Sequence, residues 1–357
     1  MLPLAIVPAD PGPMAAHDTG PGHPERPERL AVVHRALRER FAGPAHRLEA
    51  PPAGRAELER VHDPRHVDRV LATAGRRGRL DPDTPFGPES ADAARAAAGA
   101  ALAALRAVRC GRARTAFAAI RPPGHHAERD RACGFCLFNN AAVAIADLLE
   151  EDPGARVAVL DWDVHHGNGV QHLFDADPRV LHADLHQHPL FPGTGGPGEI
   201  GRGPGRGYSI NVALPAGRTD ADYLAVLDDL VGPAVLRFAP RVVVICAGFD
   251  AHAADPLGGM RLTEDGFAAL AGRVVDWTRR TGALGPVAFL EGGYDLTALA
   301  ASTVRVAAVL GGEPPPPLEA RADSVTKAAI EATRAAHLAT NGPLGITGDH
   351  DAGKETR

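Results

Sequence analysis

Val157-Ala-Val-Leu-Asp161-Trp-Asp163-Val-His165-His166-Gly-Asn168-Gly169 is the stretch that decides the fold. An apolar run that stops at Gly-Asn-Gly reads as a strand buried on both faces, followed by a loop. Asp161, Asp163 and His165 stand at i, i+2 and i+4. An extended backbone there projects all three to one side. A carboxylate and an imidazole two residues apart can then grip one metal ion, with the other carboxylate behind them.

Working outward, short apolar runs alternate with helical patterns. Leu4–Val7, Thr115–Ile120, Arg179–Leu185, Tyr208–Val212, Arg241–Ala247 and Pro286–Leu290 read as strands. Helices are expected from Pro27, well placed in a first turn, to about Arg40, and over Pro64–Ala74. Further helices follow from a Ser90 cap to Val108, up to Glu150, around Val170–Phe174, and over Asp220–Phe238, Glu264–Thr281 and Leu296–Leu310. Gly75–Pro88 reads as a polar, proline-punctuated loop long enough to suspect function. The order predicts a single-domain α/β protein, an open, mostly parallel sheet with helices on both faces. Residues 1–340 are expected to form the domain and 341–357 a loose polar tail, with Pro314–Pro317 as a stiff connector.

A length of 357 residues, 45% of them hydrophobic, supports a sizeable core. A net charge of −6 argues against a nucleic-acid surface. Four cysteines are too few for a disulfide scaffold, and Cys133-x-x-Cys136 lacks the second Cys/His pair of a zinc finger. No apolar run approaches a membrane span, and the N-terminus lacks a signal peptide's basic region. The expected setting is cytoplasmic.

Four strand ends carry polar groups: His125-His126, Asp161/Asp163/His165, Asp250 and Tyr294. Open parallel sheets bind ligands at the carboxyl ends of their strands. Two carboxylates and one imidazole suit Zn²⁺ and leave a position open for water, so Asp163, His165 and Asp250 are the expected ligands. A neighbouring histidine, His125 or His126, can act as general base and acid. Tyr294, after a Gly-Gly turn, can donate to a developing oxyanion. Together these describe metal-assisted amide hydrolysis.

Six motifs appear in order: RPPGHH (121–126), GFCLFNN (134–140), LDWDVHHGNG (160–169), FPGTG (191–195), AGFDAHAADPLGG (247–259) and EGGY (291–294). With them the chain, over roughly residues 1–310, resembles the zinc-dependent histone deacetylase superfamily, in its class II-like and acetylpolyamine amidohydrolase branch. The resemblance implies the arginase–deacetylase fold and one Zn²⁺ held by Asp163, His165 and Asp250. It makes His126 the general base and acid, Asp161 the residue that orients His125, and Tyr294 the group that polarises the acetyl carbonyl. Asn168 stands behind His126 where class I members have Asp, so no carboxylate raises the basicity of that ring. Gly134, Phe135 and Phe191 match the walls of an acyl-lysine tunnel, and Arg29 matches an inner-cavity arginine associated with acetate exit. Two K⁺ sites are implied. Asp161, Asp163, His165 and Leu185 match the first, with Asp184 replacing a usual Ser. Phe174, Asp177, Val180 and Tyr208 match the second.

Leu257 aligns with a rim position that is acidic in the eukaryotic polyamine deacetylase. An apolar residue there offers no counter-charge to a distal ammonium, which leans the substrate toward acyl-lysine or another neutral-stemmed amide. Asp83 is a further rim candidate. The partner is then an acylated lysine or small acylated amine, with no nucleic acid and no membrane. Oligomeric state is left open, homodimer and tetramer included. The competing readings are an acetylpolyamine amidohydrolase, an arginase-like ureohydrolase with two metals, and a catalytically silent module of the same fold.

Overall fold

The computed structural model describes residues 1–43 and 46–345. Nine strands are present among them: β1 Leu2–Val7, β2 Gly78–Asp81, β3 Thr84–Phe86, β4 Ala113–Ala118, β5 Val157–Asp161, β6 Val180–Gln187, β7 Ser209–Leu214, β8 Val242–Ala247 and β9 Leu284–Leu290. The helices are α1 Pro27–Arg40, α2 Arg55–Leu58, α3 Pro64–Leu71, α4 Ser90–Arg109, α5 Asn140–Glu151, α6 Asn168–Phe174, α7 Asp220–Val226, α8 Gly232–Phe238, α9 Glu264–Thr281, α10 Leu296–Leu310 and α11 Ser324–His337. Seven strands pair in the order β1-β4-β9-β8-β5-β6-β7, and every pairing is parallel. Every residue of β5 and β8 is buried, as a parallel sheet covered on both faces requires. Helix α4 packs on α5, β1, β4 and β9, while α10 packs on α1 and α9.

The sheet order matters more for function than any single strand. β4, β9, β8 and β5 are consecutive neighbours, so their carboxyl-end loops lie side by side. Those loops carry His125-His126, Tyr294, Asp250 and Asp163/His165.

Four local readings need correction. The Gly75–Pro88 loop contains a small antiparallel ribbon, β2 with β3. Ser90 is the first helical residue of α4, not its cap; its hydroxyl accepts from Gly87 N (2.8 Å). The expected helix over 220–238 is α7 and α8 joined by a π-helical turn, Leu227–Val231. Pro233 in the first turn of α8 has no N–H to give the preceding ladder, which fits a register change there. Helix α11 has no counterpart in the periodicity, because Val325 and Ile330 are its only large apolar residues. Its start is nonetheless marked: Asp323 accepts from Thr326 N (2.8 Å), a side-chain cap. α11 lies along the edge strand β7, where Thr333 Oγ1 donates to Asn211 O (2.7 Å).

Of the expected tail, residues 341–345 turn back on the body, and the Gly345 carbonyl accepts from Arg237 (3.1 Å). Residues 346–357 lie outside the described residues. No helix among the described residues is long and apolar enough to cross a membrane.

Helix α4 is rich in alanine but holds Gly99 where the 51–53 segment crosses it. A Cβ there would fall on the carbonyl oxygen of Pro51 and 2.7 Å from Ala53 N. In an open helix Gly→Ala would stabilise by about 1 kcal/mol. Here Gly99→Ala is expected to destabilise by about 1–3 kcal/mol, read as a lower urea midpoint at unchanged slope.

Candidate metal and catalytic site

The strand β5 ends at Asp161, and the backbone does not stay extended beyond it. Asp161 Oδ1 accepts from Asp163 N (3.0 Å), and Asp163 Oδ1 accepts from His165 N (2.9 Å). These are successive Asx turns, the conformation that short carboxylates offer their own backbone. They rotate Asp163 and His165 together and leave Asp161 facing elsewhere. The alternation of an extended strand therefore does not explain the grouping.

His165 Nδ1 lies 3.2 Å from Asp163 Oδ1 and 3.2 Å from Asp250 Oδ2. The three residues offer one ligand atom each, all within 4.8 Å of one another. Each carboxylate has its other oxygen pinned by a backbone N–H: Asp163 Oδ2 by Gly292 N (2.8 Å) and Asp250 Oδ1 by Val164 N (2.8 Å). Gly292 has to be glycine, since a Cβ would meet Asp250 Oδ2 and come within 2.6 Å of Asp163 Oδ2.

The convergence of the three groups suits a cation. Burial works against charge on the His165 ring, yet hydrogen bonds to Asp163 and Asp250 raise it to about 10. Burial and then the Asp163 carboxylate push Asp250 up to about 7. A single ring N–H cannot satisfy both carboxylates at equal distance. A divalent ion bound by all three groups can, so the residues fit a metal with oxygen and imidazole ligands.

Beside this trio stand the tandem histidines, ring centroids 3.9 Å apart. His125 Nδ1 donates to Asp161 Oδ2 (3.0 Å), and His126 Nδ1 lies 2.7 Å from Asn168 Oδ1. The two rings are driven in opposite directions. Burial opposes charge on His125, but Asp163 and Asp161 outweigh it and raise its pKa well above the usual value. Burial, then the His125 charge and that of His165, hold His126 well below the usual value. The pair is thereby made unequal, a separation that acid–base chemistry can use.

Their loop is tied down by Glu291, a residue whose role the sequence does not reveal. Its Oε2 accepts from Gly124 N (2.6 Å) and His125 N (3.1 Å). Its place at the carboxyl end of β9, directly before Gly-Gly-Tyr, is the available signal.

Tyr294 is buried. Its ring packs edge-on to Phe135 (centroids 5.9 Å), and the Arg29 guanidinium sits 4.8 Å from its centroid. Arg29 also donates to Gly293 O (2.6 Å), Glu291 O (2.6 Å) and Glu25 Oε1 (3.0 Å). Phe191, 41% exposed, sets its ring 5.1 Å from that of His126. Leu257 is half-buried in the loop after β8, its N–H bonded to Asp255 (2.9 Å).

The β2–β3 ribbon anchors the Gly134–Phe135 segment. Gly134 N donates to Asp83 Oδ1 (3.2 Å) and Phe135 N to Thr84 Oγ1 (3.1 Å). Asp83, read from sequence as a rim residue, is thus engaged in holding Gly134. Gly134 and Phe135 both have positive φ, 57° and 68°. A Cβ on Gly134 would enter the His126 ring, 2.7 Å from Cγ. Gly134→Ala is expected to displace that ring and lower kcat about 100-fold while metal content holds. Unchanged kcat would show that the ring has room to move.

The residues matched to cation sites are placed as follows. Asp184 is the register partner of Asp161 on β6, and accepts from His186 Nδ1 (2.7 Å) and Gly167 N (2.8 Å). Asp161, His182 and Asp184 form a second trio of ligand atoms within 4.8 Å. Leu185 follows on β6. Asp177 accepts from the Arg179 guanidinium (2.6 Å), while Val180 N donates to Asp177 O (3.1 Å) and Asp177 N to Phe174 O (2.9 Å). The Tyr208 ring packs on Phe238 instead of pairing with a charge. All four cysteines are free thiols.

Residues 23–310 match the histone deacetylase domain. The chain is 40% identical over 300 residues to a probable deacetylase of Archaeoglobus fulgidus, covering 83% of each chain. It is 44% identical over 280 residues to a histone deacetylase-like amidohydrolase of Pseudomonas aeruginosa, covering 76% of this chain and 73% of that one. It spans about half the length of two Arabidopsis thaliana histone deacetylases that it also matches. The crystal structure of the HDA15 HD domain superposes with a TM-score of 0.85 at 36% identity, over 94% of both chains. On the family match, the fold and these identities, the chain belongs to the histone deacetylase family, a family of amide-bond hydrolases.

Proposed function

We propose that this chain is a zinc-dependent deacetylase acting on acyl-lysine or a similar neutral-stemmed acylated amine, with residues 1–340 as its catalytic domain. One observation carries the reading. Two carboxylates and an imidazole converge beside a histidine pair whose Nδ1 atoms face Asp161 and Asn168.

Asp163, His165 and Asp250 would hold the metal, which when bound supplies Lewis acidity toward water and the acyl carbonyl. His126 takes a proton from the attacking water and later returns it to the departing amine. His125, its Nδ1 donating to Asp161, stacks beside His126 and polarises the pair. The Tyr294 hydroxyl donates to the carbonyl oxygen as negative charge develops there. Gly134, Phe135 and Phe191 line the path of the acyl-bearing stem. Arg29, bonded to the backbone on either side of Gly292, fits an exit route for the acid product.

K⁺ at Asp161, Asp163, His165, Asp184 and Leu185 belongs to the same reading, supported by the two buried carboxylates facing one another across β5 and β6. A second K⁺ at Phe174, Asp177, Val180 and Tyr208 has weaker support, since Arg179 already neutralises Asp177. A cytoplasmic setting is supported by the four free thiols.

The test is a panel of acetyl-lysine peptides, longer acyl-lysines and acetylspermidine on purified, metal-loaded enzyme. The expected result is at least a tenfold preference in kcat/KM for a lysine substrate over acetylspermidine. The reverse order assigns the chain to polyamine amidohydrolysis, and no turnover of any of them overturns the reading. One tightly bound divalent ion per chain separates it from a two-metal ureohydrolase.

A further inference from the structure

The side-chain amide of Asn168 is oriented by what surrounds it. Its Nδ2 lies 2.7 Å from Glu128 Oε1 and 3.3 Å from the carbonyl oxygen of His126. A carboxylate and a carbonyl can only accept, so an NH₂ group must face them. The amide oxygen is then the end that faces His126 Nδ1, at 2.7 Å. That oxygen also only accepts, so the proton between them belongs to Nδ1. A neutral imidazole protonated at Nδ1 has a bare Nε2.

We propose that Glu128, acting through Asn168, sets the tautomer of His126 and so makes Nε2 the proton acceptor of the reaction. Glu128 is a positioning residue. The role given to His126 rests on the deacetylase reading, whereas the tautomer rests on the hydrogen-bond geometry alone.

The parts that hold Glu128 are built for this task. Asn168 and His172 are four residues apart on α6 and share one face of the helix. His172 Nδ1 donates to the same Oε1 (2.8 Å), and the Glu128 backbone N–H donates to Arg131 O (2.9 Å). Burial would raise the Glu128 pKa, but the bonds from His172 and Asn168 outweigh it and keep the group ionised. Without an acceptor at 128 only the His126 carbonyl, at 3.3 Å, is left to hold the amide against turning over. A turned amide offers NH₂ to Nδ1, which moves the ring proton to Nε2 and leaves no base. The same geometry explains why position 168 is Asn in this chain. An Asp would set a second carboxylate against the one at Glu128, so it becomes tolerable only if residue 128 can donate.

The experiment is a double-mutant cycle on metal-loaded enzyme, with kcat, KM and metal content measured for Glu128→Ala, Glu128→Gln, Asn168→Asp and the double variant Glu128→Gln/Asn168→Asp. Ring ¹⁵N NMR reads the tautomer, the His126 signal being assigned by its loss in His126→Ala. Glu128→Ala should lower kcat about 10- to 100-fold with KM and metal content held. Glu128→Gln should lose less than about fivefold, because the new amide oxygen still accepts from Asn168. Asn168→Asp should lose about 100-fold. The double variant should recover at least about tenfold of that loss, since the amide introduced at 128 then donates to the carboxylate introduced at 168. The Nδ1–H tautomer in wild type, lost in Glu128→Ala, completes the expected set. Additive losses in the cycle, or an Nε2–H tautomer in wild type, would overturn the proposal. An enzyme inactive on every acylated amine that still shows the Glu128-dependent tautomer would sink the deacetylase reading and leave the positioning role standing.

Discussion

Asp250→Ala is expected to leave the enzyme with less than about a tenth of its metal and less than about a thousandth of its turnover. Asp250 contributes the Oδ2 atom that faces His165, and its Oδ1 accepts from the buried Val164 N–H. Truncation removes the proposed ligand and orphans a backbone donor, so a folding defect could be mistaken for metal loss. Asp250→Asn separates the two. The amide oxygen still accepts from Val164 while the negative charge is gone, so metal should be lost while thermal stability matches that of metal-free wild type. Elemental analysis after dialysis, paired with a melting curve, reads both quantities. Full occupancy in Asp250→Asn would show that the ion is held by other residues, with the Asp161, His182 and Asp184 trio the first to examine.

Tyr294→Phe should keep full metal content and KM within about twofold while kcat falls about 100- to 1,000-fold. The contacts that seat this residue use its ring and backbone: Phe135 at 5.9 Å, Arg29 at 4.8 Å, and an N–H bonded to Asp255 Oδ2 (2.6 Å). Phenylalanine preserves every one of them. Only the hydroxyl is lost, and that hydroxyl is a donor at any assay pH, because burial pushes its pKa far above the usual range against the pull of Arg29. A loss confined to kcat is what an interaction formed in the transition state leaves behind. Unchanged kcat would refute the oxyanion role directly.

Much of this site is legible in the sequence, for definite reasons. Apolar runs of five or six residues ending in a polar residue mark buried parallel strands, and their polar ends mark the ligand-binding edge. His125-His126, Asp163, His165, Asp250 and Tyr294 are all named on that basis, and the structure gathers them at the ends of β4, β5, β8 and β9. Their gathering depends on strand order, which local periodicity does not encode. β9, late in the chain, inserts between β4 and β8, and that alone sets Tyr294 and Glu291 beside the histidines.

The misses have a common cause. The β2–β3 ribbon, built on Asp81, Asp83 and Thr84, has too little apolar surface to register as strand, and it is stable because Gly134 and Phe135 bond to it. Helix α11 carries few large apolar residues because it covers only one edge of the sheet. Glu128 and Glu291 act on backbone and amide groups that are distant in sequence or lie across a turn. Residue types and their spacing by themselves determined the seven strands of the main sheet, its longer helices, the α/β class and the histidines, carboxylates and tyrosine at the strand ends, because burial pattern and polar strand ends are local properties. Tertiary structure alone decided the geometry of the Asp163, His165 and Asp250 trio, the different partners of the two histidines and the orientation of Asn168, because each follows from groups that only the folded sheet brings within hydrogen-bonding distance.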